Sequence, residues 1–94
     1  MHMQVEYVEN ERELHKIAKQ DNANRCGATD DPNDRKYGYS RSSVGKTGTM
    51  YCLQVDNQYK KENELLNLKD WRDNVQKSSN VGEKKGYVYV LVDK

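Results

Sequence analysis

The residues best suited to chemistry lie in one run, 35–49, where Arg35, Lys36, Arg41 and Lys46 are interrupted by no carboxylate. Tyr37 and Tyr39 sit among them, with hydroxyls at Ser40, Ser42, Ser43, Thr47 and Thr49. Cations neutralise phosphates, hydroxyls and glycine-exposed amides can bond them, and flat rings stack on unpaired bases. Tyr and Arg are also residue types enriched at protein interfaces. Arg35, Lys36, Tyr37, Tyr39, Arg41, Lys46 and Thr47 are therefore the candidate partner- or phosphate-binding residues. The plainer alternative is a solvated hairpin neutralised by the neighbouring Asp30, Asp31 and Asp34.

Within the run, Ser40-Arg41-Ser42-Ser43-Val44-Gly45-Lys46-Thr47 matches a phosphate-binding loop except at its first position, where Ser40 replaces the required Gly. Such a loop needs that Gly to turn, a buried strand before it and a helix after it. None of the three is supplied, so the match reads as coincidence, with Gly45, Lys46 and Thr47 still able to hold a lone phosphate. On the border of the run, Cys26-Gly27-Ala28-Thr29-Asp30-Asp31-Pro32-Asn33-Asp34-Arg35 resembles the second motif of the GIY-YIG endonuclease family. In that motif a glycine closes a strand and an Arg follows eight residues later. The resemblance implies that Arg35 would stabilise charge on a scissile phosphate and that Glu62 or Glu64 would bind a metal. The look-alike of the family's first strand, Gly86-Tyr87-Val88-Tyr89-Val90, lies at the other end of the chain.

Other groups offer less. His2 and His15 have no Ser, Cys or Asp at a spacing that would make either a catalytic base. Asp30, Asp31, Asn33 and Asp34 miss the alternate-position pattern of a calcium loop and read as a turn. Cys26 and Cys52 form no Cys-x-x-Cys pair and read as reduced thiols. No metal and no cofactor is expected.

Ninety-four residues suffice for one domain, 1–94. The chain is 34% hydrophobic and 33% charged, with seven Tyr, one Trp and no Phe, so its core must be small and rich in Tyr. A net charge of +1 excludes blanket polyanion binding, although local charge swings from −3 over residues 21–34 to +4 over 35–55. The opening Met1-His2-Met3-Gln4 lacks a basic region followed by an apolar run, and no window nears the ~20 apolar residues of a membrane span. A cytoplasmic protein that does not contact membrane is expected.

The elements that must position these groups are read from periodicity. Met3, Val5 and Tyr7 alternate with polar residues as a half-buried strand. Asn10 and Glu13 form a capping box, with Glu13 reaching back to the cap, ahead of a helix over 11–20 whose stripe is Leu14, Ile17 and Ala18. Residues 49–55 form a strand with Tyr51, Leu53 and Val55 on one face and Met50 and Cys52 on the other, central because both faces are apolar. A second helix over 59–77 carries Leu65, Leu68, Trp71 and Val75, with Trp71 as a core anchor. Residues 86–92 carry the strongest strand signal and belong in mid-sheet. Strand, helix and strand from 50 to 92 predict a right-handed crossover joining parallel strands. Residues 36–42 alternate weakly and would supply a fourth strand.

Residues 21–48 hold Val44 as their only large aliphatic side chain and read as a polar excursion unable to build a core. The predicted fold is α+β, a small mixed sheet of three or four strands with two helices packed on it, in βα(β)βαβ order, split-βαβ or ferredoxin-like if the fourth strand forms. The expected function is a small non-enzymatic binding protein, an inhibitor or accessory module of the size carried by viruses and mobile elements, making a protein–protein contact. The alternatives are a nucleic-acid-binding module using 35–49 and a GIY-YIG-like nuclease. An exposed sheet edge would also permit a homodimer.

Overall fold

The computed structural model describes residues 4–34, 48–71 and 84–93. They form strands β1 (Gln4–Tyr7), β2 (Ala23–Thr29), β3 (Thr49–Val55) and β4 (Gly86–Val92), with helices α1 (Glu11–Ala18) and α2 (Gln58–Leu66). Residues 32–34 are helical. The fold is a small α+β one built on a mixed four-stranded sheet in the order β1-β3-β4-β2.

Strand β1 runs parallel to β3, while β4 is antiparallel to both β3 and β2. It follows that β1, β2 and β3 all point the same way. The unit β1–α1–β2 is thus a split βαβ, with β3 and β4 inserted between its two parallel strands.

Helix α1 forms where the sequence signals it. Asn10 Oδ1 accepts from the Glu13 backbone N–H at 2.9 Å, closing the first turn. Glu13 reaches back one residue further than the capping box predicts, to the backbone N–H of Glu9 at 3.2 Å. The helix ends at Ala18 with Lys19 as its C-cap.

Both helices cover one face of the sheet. Leu14, Ala18, Leu65 and Trp71 pack there against Cys26, Leu53, Val88, Val90 and Val92. The opposite face buries Met50, Cys52, Tyr89 and Leu91, flanked by Val5 and Tyr87. The period-two pattern of β3 therefore assigns its side chains to the two faces as predicted, and β3 and β4 are both interior strands as expected.

Three expectations are corrected. First, residues 21–48 are not uniformly core-free, because β2 lies inside them and buries Ala23, Asn24, Cys26 and Gly27. Small side chains make a good strand here because β4 supplies the bulk: Tyr89 crosses Gly27, where an added Cβ would run into the Tyr89 ring and hydroxyl. The fourth strand is thus 23–29, while the weakly alternating 36–42 lies outside the described residues.

Second, β3 and β4 are antiparallel neighbours and no parallel crossover joins them. The long stretch after α2 returns the chain to the end of the sheet that β3 left, and the Gln58 N–H bonds the Lys84 carbonyl at 2.9 Å there. Third, α2 stops at Leu66, with Asn67 as its C-cap, well short of residue 77. Trp71 is a core residue but not a helical one: it folds back so that its indole N–H donates to the Leu65 carbonyl at 2.9 Å. The same carbonyl also accepts from the Leu68 N–H at 3.1 Å, so it holds both the chain leaving α2 and the indole.

Candidate functional site

All seven candidate contact residues, Arg35, Lys36, Tyr37, Tyr39, Arg41, Lys46 and Thr47, lie outside the described residues. Of the run they belong to, Gly48 and Thr49 are described. The Gly48 carbonyl accepts from Gln4 N–H at 3.2 Å, and Thr49 is paired with Gln4, so the run enters the sheet beside the start of β1.

The nuclease-like residues sit as follows. Gly27 is interior to β2, which continues to Thr29, and its lack of a side chain is explained by Tyr89. Glu62 and Glu64 are on α2, and Glu64 lies 3.2 Å from the Lys61 ammonium. Among the described residues no group of three or more His, Cys, Asp or Glu could hold a metal ion.

Two surfaces stand out among the described residues. An open cleft of about 1090 Å³ lies at the carboxyl ends of the parallel strands β1 and β3, where α1 and α2 both begin. That location suits ligands in open α/β sheets. Its charges, however, largely cancel: Arg12, Lys60, Lys61 and Lys85 face Glu9, Glu11 and Asp56. Lys61 is further held by Glu11 at 2.5 Å, the carboxylate that raises its pKa most.

The second surface is aromatic. Tyr7 is 58% exposed, the one large hydrophobic side chain so exposed among the described residues. Its ring meets Tyr87 edge to face, with centroids 6.1 Å apart and planes at 62°. Registers of β1 on β3 and of β3 on β4 bring the two Tyr together on the face away from the helices. Thr29 pairs with Tyr87 on β2, and its hydroxyl accepts from Asp31 N–H and donates to the Asp31 carbonyl, both at 3.1 Å. The Tyr7 hydroxyl has its pKa raised, first by desolvation, then by Cys52, Tyr87 and Asp31.

Sequence reasoning placed Tyr7 on a strand but missed this pairing. Each Tyr shows in its own alternating pattern, yet 80 residues of chain separate them, and only the strand order makes them neighbours.

The cysteines are unsuited to thiolate chemistry. Cys26 and Cys52 are buried and not disulfide-bonded, on opposite faces of the sheet. Burial pushes both thiols up to about 12, so neither is a ready nucleophile at neutral pH.

Comparison with protein-family models, with curated proteins and with solved structures finds no match. Among the described residues no helix is long and apolar enough to cross a membrane.

Proposed function

We propose that this chain is a small binding protein, a cytoplasmic inhibitor or accessory module that acts through a protein–protein contact and not by catalysis. The observation that carries the reading is the exposed Tyr7 ring braced against Tyr87. A Tyr offers a large contact area with few torsions to immobilise, and binding hot spots are enriched in it. The brace removes part of that small entropic cost before a partner arrives.

Charge supports protein over polyanion. The net charge is +1, and the cleft between the starts of α1 and α2 holds nearly balanced charges, which gives little non-specific attraction to nucleic acid. The basic run 35–47 leads directly into Gly48, whose carbonyl bonds the Gln4 N–H at the start of β1, and would extend the same contact from that end of the strand.

Affinity capture from the cells that produce the protein tests this. The wild-type chain should retain one stoichiometric protein, and Tyr7→Ala should weaken that complex about tenfold or more, as truncation of a hot-spot residue does. Replacing residues 35–47 by a neutral linker measures the contribution of the basic run. A partner held equally well by Tyr7→Ala and Tyr87→Ala would sink the proposal, as would a captured nucleic acid released by moderate salt.

A further inference from the structure

The contact just proposed borders a strand edge whose chemistry specifies a partner. Strand β1 is the end strand of the sheet, and its four residues pair with β3 in uninterrupted register. Gln4 N–H bonds the Gly48 carbonyl and Val8 N–H bonds the Cys52 carbonyl, so even-numbered residues face β3. N–H and C=O groups alternate sides along a strand, so those of Val5 and Tyr7 point outward from the sheet. Among the described residues no strand takes them up.

Edge strands that resist pairing carry a Pro, a Lys, a bulge or an inward charge. Strand β1 has none of these, and its one charge is the exposed Glu6. Residues 4–11 contain Glu6, Glu9 and Glu11 and no cation. Glu11 is bridged to Lys61, while Glu6 and Glu9 are exposed carboxylates with no ion pair among the described residues.

We infer that β1 accepts an extended segment of a partner protein by strand addition, and that this segment alternates basic with β-branched apolar residues. The inference rests on the protein-contact reading above and names its partner. Backbone groups of the segment bond those of Val5 and Tyr7, at the usual strand spacing of about 4.8 Å. Its apolar side chains lie beside Val5 and Tyr7, next to the Tyr87 brace. Its basic side chains lie on the other face, opposite Glu6 and towards Glu9, where opposite charges across a strand pair attract.

A second copy of the chain fits this edge poorly. An antiparallel β1–β1 pair that uses both Val5 and Tyr7 must place Glu6 directly opposite its own copy, a repulsive like-charge pair. The partner is therefore heterologous and of opposite charge.

Three capped nonapeptides test the inference against the full chain: lysine alternating with valine, glutamate alternating with valine, and the lysine–valine composition rearranged in blocks. Amide chemical shifts report both site and affinity. The alternating basic peptide is expected to perturb the Val5 and Tyr7 amides and to bind at least tenfold more tightly than either control. Glu6→Lys, at an exposed position and with an unchanged fold by its spectrum, should reverse the preference towards the acidic peptide.

Equal binding of all three peptides, or shifts centred away from β1, overturns strand addition by a basic segment. Tighter binding of the acidic peptide at β1 overturns the charge assignment alone and leaves the Tyr7 contact standing. A free chain that is dimeric, with its Val5 and Tyr7 amides protected, overturns the heterologous partner in favour of self-pairing. Loss of the captured protein in Tyr7→Ala remains the separate measure of the contact itself.

Discussion

Gly27 shows how much one missing side chain can decide. It stands opposite Tyr89 across the β2–β4 pair, and a methyl group there would overlap the Tyr89 ring. Gly27→Ala should destabilise by about 1–3 kcal/mol, the usual cost of overpacking. In a Tyr89→Leu background the added penalty should shrink, and a double-mutant cycle by urea denaturation measures that coupling. The two thiols allow a second residue-scale test. With both pKa values pushed up to about 12 by burial, Cys26 and Cys52 should resist iodoacetamide at pH 8 in the native protein. Both should be alkylated together once urea unfolds the chain, and mass spectrometry distinguishes the outcomes. Rapid labelling of either in the native state would contradict its placement. Neither result is visible in the sequence, because Gly27 reads there as the strand-closing glycine of a motif until Tyr89 is placed beside it.

At the scale of elements, caps and one lysine hold the helices in place. Asn10→Ala should cost about 1 kcal/mol by leaving an early N–H of α1 without its acceptor, read as a lower urea midpoint. Lys69 joins two elements that the chain keeps far apart: its ammonium donates to the Gln20 and Ala23 carbonyls, both at 2.8 Å, and lies 4.7 Å from the Trp71 ring centroid. Burial lowers its pKa, the cost of placing a cation there. Lys69→Met keeps the aliphatic stem and loses the bonds, so it should destabilise by about 1–3 kcal/mol. Hydrogen exchange should then rise at the start of β2 before it rises in β4. Helix α1 and strands β3 and β4 were legible from local signals: a cap, a stripe, an alternation. The end of α2 was not, because the apolar spacing of Leu65, Leu68 and Trp71 continues past Leu66 although the backbone does not.

Across the whole molecule, one polar cluster ties three elements together. Buried Gln58, at the start of α2, donates to Asp30 at 2.7 Å and to the Lys85 carbonyl at 3.3 Å, while Lys84 bridges Asp30 at 2.8 Å. These bonds, that from Lys84 first, hold the Asp30 carboxyl below its ordinary range, and Asp30 in turn raises Lys84. A lowered carboxyl stabilises the fold above its unfolded value of about 3.9, and that contribution is lost as pH falls through the folded value. The raised Lys84 contributes below the ordinary lysine value of about 10.4 and is lost as pH rises through its folded value. Asp30→Asn should therefore flatten both the acid and the alkaline limb of stability against pH, measured by urea midpoints. Both side chains are largely exposed, so the effect should shrink in high salt. The sequence by itself determined the α+β, mixed-sheet class, the two faces of β3, the interior place of β4, and the capped start of α1, because each is written in residues a few positions apart. Tertiary structure alone decided that 23–29 is a strand, that β3 and β4 run antiparallel, and that Tyr7 meets Tyr87. Those outcomes depend on pairings between residues distant in the chain, and local periodicity carries no record of which strand will lie beside which.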